Sequence, residues 1–193
     1  NNTLDANRME AYLQDTYRFT SKGGHTHFTL NYGVRMSHWS FNKETIVSPR
    51  VSLGIIPAYS ENTTFRFAAG LYYQAPFFKE LRDTSTVNGI TYANLNEKIK
   101  SPRSIHFIAG YDYRFRINNL RYRFSAEAYY KALGNFIPYS VNNVKVVYYG
   151  ENRASGHATG IDLKLYGEFV PGADSWLTFS LMNTSMKLNG KSL

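Results

Sequence analysis

Residues 105–131, IHFIAGYDYRFRINNLRYRFSAEAYYK, sort by parity rather than by the turns of a helix. Up to Arg116 the odd positions hold Ile105, Phe107, Ala109, Tyr111, Tyr113 and Phe115; the even ones hold His106, Ile108, Gly110, Asp112, Arg114 and Arg116. Beyond Ile117-Asn-Asn-Leu120 the even positions are Tyr122, Phe124, Ala126, Ala128 and Tyr130, against Arg121, Arg123, Ser125, Glu127, Tyr129 and Lys131. Successive side chains of an extended chain point to opposite faces. Each half is therefore a strand with one dry face, and the tetrapeptide is the turn between them.

The same alternation recurs on both sides. Phe65, Phe67, Ala69, Leu71 and Tyr73 oppose Thr64, Arg66, Gly70 and Gln74, and Leu163, Leu165 and Phe169 oppose Asp162, Lys164 and Glu168. Eight long strands are predicted at 8–20, 25–38, 47–57, 63–74, 102–116, 121–132, 157–169 and 175–188. Short turns at 21–24, 58–62, 117–120 and 170–174 alternate with longer connections at 39–46, 75–101 and 133–156, so the short turns share one end. Pro49 and Pro102 are expected at strand starts, and Pro76 just past a strand end. The pattern predicts an all-β fold: an antiparallel transmembrane β-barrel segment with short periplasmic turns and long extracellular loops. A soluble meander or sandwich is the rival, although its strands usually run nearer five or six residues.

Composition fits a barrel. The chain of 193 residues has no cysteine, a net charge of +8, and 16 Tyr, 13 Phe and 2 Trp. Tyrosine suits places where one end of a side chain is apolar and the other wet. No apolar run approaches the roughly 20 residues of a membrane helix, a test that a barrel also passes. The positive charge is spread over turns and wet faces, which speaks against nucleic acid as a partner.

Several segments, in order, resemble TonB-dependent outer-membrane receptors, especially the large nutrient transporters of the Bacteroidota. They are EAYLQDTYRF (10–19), LNYGVRMSHW (30–39), SPRVSLGIIP (48–57), TTFRFAAGLYYQAPFFKEL (63–81), SPRSIHFIAGYDYRF (101–115), SAEAYYKALGNFIPY (125–139) and ATGIDLKLYGEF (158–169). The resemblance implies an active importer of an external nutrient ligand in the bacterial outer membrane. Its barrel would have about 22 strands and a plug domain that meets TonB. Eight strands, no plug-like region and an end at Lys191-Ser-Leu193 lead us to expect residues 1–193 to be an internal part of such a barrel. Its partners would then be the remaining strands, the plug, TonB through the plug, outer-membrane lipid and lipopolysaccharide. A complete small eight-stranded barrel with a structural or adhesive role, and a soluble β-rich binding module, are the alternatives.

Candidate sites follow from the strand layout. Phe77, Phe78, Tyr92, Phe136, Tyr139, Tyr148 and Tyr149 stand in the long connections, where the resembling family captures ligand. Lys79, Lys98 and Lys100 could meet lipopolysaccharide phosphates. Arg114, Arg116, Arg121 and Arg123 surround one short turn, where they would line the lumen and meet the plug or an anionic substrate. Their bland reading is pairing with Asp112 and Glu127. His25 and His27 share a strand face but have no further ligand nearby, so no metal site is assigned. Ser104, His106 and Asp112 share a face, but the aspartate lies about 20 Å along the strand. No nucleophile elbow, phosphate loop or HExxH occurs, so neither an enzyme nor a cofactor is expected.

Overall fold

The computed structural model describes residues 5–87, 90–170 and 172–192. Eight long strands form the body: β1 (Arg8–Thr20), β2 (His27–Trp39), β3 (Glu44–Ile56), β4 (Thr63–Tyr73), β7 (Arg103–Ile117), β8 (Leu120–Phe136), β11 (Ala154–Val170) and β12 (Ala173–Leu188). All neighbours are antiparallel, in chain order, and a two-residue β13 (Lys191–Ser192) folds back on the end of β12. Two hairpins stand apart from this sheet in the long connections, β5 (Arg82–Val87) with β6 (Ile90–Leu95), and β9 (Tyr139–Asn142) with β10 (Lys145–Tyr148). A single helical turn, α1 (Phe78–Leu81), precedes the first of them. Among the described residues β1 has only β2 as a neighbour in this sheet, and β12 pairs with β11 and the short β13, so the order is open at both sides.

Register turns the parity pattern into two faces. At one level the pairing runs Tyr17, Leu30, Leu53, Phe67, Ala109, Ala128, Ile161, Leu181 across all eight long strands, without a polar residue. One residue along, the other face reads Arg18, Thr29, Gly54, Arg66, Gly110, Glu127, Asp162, Ser180. The apolar row is not covered: Tyr17 is 58% exposed, Phe67 46%, Ile161 50% and Leu181 60%. A water-soluble sheet would put a second layer over such a face. In a barrel wall it is the surface that meets lipid.

Rings mark the height of that band. At the short-turn end, Tyr17, Phe19 and Phe28 stack at centroid distances of 5.5 and 4.7 Å. Tyr113, Phe115, Tyr122 and Phe169 continue the row at 5.6, 5.5 and 6.0 Å. At the other end the same face carries Tyr73 and Tyr130, the latter 6.1 Å from the His157 ring. From Phe65 to Tyr73, or Tyr122 to Tyr130, is about 27 Å of strand, or about 21 Å of height at a tilt of about 40°, close to the apolar band of outer-membrane barrels.

The strand ends show where side chains overrule pattern. β2 starts at His27 rather than 25, because Ser21–Thr26 closes as a turn: Gly24, at φ 75°, donates to the Ser21 carbonyl and Ser21 to that of Thr26, at 2.7 and 2.9 Å. β3 begins at Glu44, so the connection expected at 39–46 shrinks to residues 40–43 and is not long. Pro49 consequently lies inside β3 rather than at its start. It is tolerated because the ladder to β4 ends at Arg50, one residue after the ring that lacks an N–H. Pro102 does stand immediately before β7. β8 runs four residues beyond the expected end, to Phe136, where it still pairs with Ala154 across a bulge. Asn118 and Asn119, at φ 49° and 65°, make the two-residue turn between β7 and β8 that matches strand twist.

The β9–β10 turn uses the same geometry with a poorer residue. Asn143 and Val144 have φ of 48° and 68°, and a β-branched side chain in that region costs about 1–2 kcal/mol. Val144 is 93% exposed, so no packing offsets the strain. Val144→Gly should firm the hairpin by about 1 kcal/mol, read as slower amide exchange at Val141 and Val146. Unchanged or faster exchange would show that the left-handed turn is not the conformation the hairpin adopts.

Candidate functional site at the end of the long connections

The buried apolar cluster lies not between sheets but among the long connections. Trp39, Leu81, Ile99 and Ile137 are 7, 0, 1 and 6% exposed, and Ala6, Phe41, Leu95 and Tyr148 pack around them. They come from the end of β2, from α1, from the segment before β7 and from the end of β8. Residues distant in sequence thus fold into one cap at that end of the wall.

Polar side chains zip the cap together. The Glu44 carboxylate accepts the backbone N–H and the hydroxyl of Ser101, at 3.0 and 2.6 Å, while the Asn42 amide donates to the Ile99 carbonyl at 2.8 Å. The Asn152 amide donates to the carbonyls of Lys100 and Asn135 at 2.8 and 2.6 Å, and its oxygen accepts the Lys100 N–H at 2.8 Å. Asn96 donates to the Gly150 carbonyl at 2.9 Å. Each bond ties one connection to another, so buried backbone groups find partners where no ladder serves them. Glu44 explains why β3 begins early: its carboxylate belongs to this network.

The candidate loop aromatics divide around the cap. Tyr148 is half-buried against the cluster and its ring lies 5.8 Å from that of Tyr139. Phe136 is half-buried beside Ile137 in sequence. Phe77, Phe78, Tyr139 and Tyr149 remain exposed, by 61, 42, 59 and 55%. All four are anchored: Phe77 caps the start of α1 and Phe78 opens it, three residues before Leu81, the Tyr149 N–H donates to the Pro138 carbonyl at 2.9 Å, and Tyr139 pairs with Tyr148 in the ladder. Tyr92 lies on β6, and its side chain falls outside the described residues. The arrangement offers water-facing rings on a folded base, suited to contacting a ligand through flat apolar surfaces.

The wet face beneath the cap carries its own ion pairs. Arg66 spans from Asp112, at 2.6 Å, to Glu127, at 3.7 Å. Gly110 makes room for it: a Cβ there would come within 3.0 Å of the guanidinium. The expected pairing of the arginine cluster with Asp112 and Glu127 is therefore corrected, since a neighbouring strand supplies the cation. Nearer the cap, Arg35 pairs with Glu10, Arg50 lies 5.5 Å from the centre of the Tyr72 ring, and His106 lies 4.5 Å from it. His106 also contacts the Ser104 hydroxyl at 2.6 Å. Arg114 faces Arg123 and Arg116 faces Arg121 across the β7–β8 pair, so the four lie together. His27 meets the Thr20 hydroxyl at 3.3 Å.

Sequence pattern had already placed Arg66 on the wet face, but not its partners. Parity sets the face, and only register sets which strand's charge lies alongside. The Glu44–Ser101 tie, between residues 57 apart, left no sequence signal at all.

A wide antiparallel sheet, apolar on one face and polar on the other, with tight turns at one end and a folded cap at the other, defines the wall of a β-barrel. The chain belongs to the TonB dependent receptor-like β-barrel family, whose model matches residues 1–191. That is a family of receptors and transporters; its barrel domains are outer-membrane proteins, working in general with a plug domain and with TonB. No curated protein matches the chain.

Proposed function

We propose that this chain is part of the barrel wall of an outer-membrane importer of the Bacteroidota type. Its cap takes an extracellular nutrient ligand, which then passes through a plugged lumen by energy coupled through TonB. The observation that carries the reading is the apolar register row from Tyr17 to Leu181, which runs across eight strands, is exposed on most of them, and is backed by a charged face. The open order at β1 and β12 supports further strands, and hence a partial barrel, over a closed eight-stranded one. The exposed row weighs against a soluble binding module. Phe77, Phe78, Tyr139 and Tyr149 are the proposed ligand contacts, with Tyr92, Phe136 and Tyr148 beside them. Lys79, Lys98 and Lys100 face lipopolysaccharide. The work is selective binding and passage rather than chemistry on the ligand.

The test uses the full receptor in its native outer membrane. Cells lacking it should lose growth on one nutrient of a defined panel, and loss of TonB should give the same defect. Alanine at Phe77, Phe78, Tyr139 and Tyr149 together should lower uptake at least tenfold while the heat-dependent gel shift of a folded barrel is retained. Purification of the chain as a stable, detergent-free monomer would overturn the membrane assignment. Normal uptake by the quadruple variant would overturn the site.

A further inference from the structure

The short-turn end of the wet face holds an array of charge that the wall itself does not neutralise. Arg114 and Arg116 on β7 lie directly opposite Arg123 and Arg121 on β8. All four side chains are exposed, and among the described residues none is in an ion pair. The carboxylates close by in sequence are otherwise engaged. Asp112 and Glu127 are held by Arg66, and Glu168 accepts the Gly172 N–H. Asp174 alone lines the same cleft, together with Asn62 and Tyr166. Arg123 is fixed over the Tyr166 ring, 4.8 Å from its centre.

Like charges directly opposite in a sheet repel, and here two such pairs are stacked. A fold that keeps them is arranged for an anion from outside. The spacing says which kind. Along each strand the arginines are two residues apart, about 6.7 Å, and across the ladder about 5 Å. An extended polypeptide with a carboxylate at every second position has the same 6.7 Å repeat, because it has the same backbone. Laid along β7 or β8, it would meet two guanidiniums in register, each able to take a carboxylate through paired N–H donors.

We infer that this array is a docking site for an acidic, extended polypeptide segment that enters the wet face from the short-turn end. The barrel reading decides only from which side of the wall the segment comes; the binding stands apart from ligand capture at the cap.

The test takes the full receptor in detergent micelles and titrates it against two fluorescent decapeptides by anisotropy. One alternates Asp with Ser; the other has the same composition with its five aspartates in one block. The alternating peptide should bind about tenfold tighter, and Arg116→Gln with Arg121→Gln, or Arg114→Gln with Arg123→Gln, should each weaken it by about tenfold. Without peptide, either double variant should unfold at the same or a higher temperature, since it removes a repulsive pair. Equal affinity for the two peptides would overturn the strand-register reading. So would displacement of the alternating peptide by equimolar inorganic pyrophosphate, which would assign the array to compact phosphates. Unchanged binding by both double variants, or a marked fall in their unfolding temperature, would make the arginines structural. None of these outcomes bears on uptake by the cap variants, so each reading can fail alone.

Discussion

Arginine in place of Phe107 should prevent the chain from assembling in a bilayer, while arginine in place of Ile108, the next residue, should not. Phe107 pairs with Ala69 and Tyr130 on the apolar face, in the cap-side half of β7, and is half exposed to whatever surrounds the wall. A guanidinium there would sit inside the hydrocarbon band, between its centre and the ring row at the cap end, where the penalty on an outer-membrane barrel falls below the midplane value of about 2–4 kcal/mol. Loss of the ring's own transfer into lipid adds roughly 1.5–3 kcal/mol. Ile108 points the other way, beside Ala68 and Tyr129, one row from the Arg66 pairs. A charge at that position stays on the wet face, in the cleft that also holds Arg66 and Glu127. The folded fraction in vesicles, read by heat-dependent gel mobility, should drop at least thirtyfold in equilibrium terms for Phe107→Arg, about 2 kcal/mol. Ile108→Arg should stay within a fewfold of the parent. Equal effects would mean that the two faces do not differ in solvent, and a reversed order would mean that the lipid side has been misassigned.

The cap should respond to mutation as a small folded body of its own. Ile99 and Leu81 are almost wholly buried in the same cluster. Truncating either to alanine leaves a void that the zipped connections cannot easily close, at about 2–5 kcal/mol. The expected loss is local. Hydrogen exchange should accelerate at Lys100, Ser101 and Asn96, whose amides bond within the cap, and remain slow through β7 and β8. The double variant should lose less than the sum of the singles, because the two side chains share one cluster. Phe77→Ala, at the exposed residue just before α1, should change exchange by about 0.5 kcal/mol or less. If Ile99→Ala left exchange across the cap unaltered, the connections would be independent loops. If it melted the strands as well, cap and wall would be one cooperative unit.

Most of the wall was legible because a period of two is written directly in residue order. Both strands around Asn118-Asn119 could be drawn from parity alone, and their register confirms both faces. Legibility failed where a residue's role depends on a partner far away in sequence. Glu44 looked like part of a connection, because nothing near it in the chain shows that Ser101 will take its carboxylate. Trp39, Leu81, Ile99 and Ile137 lie far apart in the chain and share no common period, so no pattern announces that they meet. The long connections were foreseen as places for aromatic residues, but not as a packed body with two hairpins and a helical turn. The arginine array was visible as a cluster. Its freedom from Asp112 and Glu127 was not, since that depends on which strand lies beside β7.

The two-residue turn at Asn118-Asn119 also orders events in time. Closing a loop costs entropy that rises with its length, so β7 and β8 can find each other with little chain to restrain. β11 and β12 meet across a comparably short turn, whereas β4 can reach β7 only after the whole segment 74–102 has been gathered in. The wall is therefore put together from hairpins that carry their register with them. The two joints across the long connections, β4 to β7 and β8 to β11, and the cap built from those connections should then close last.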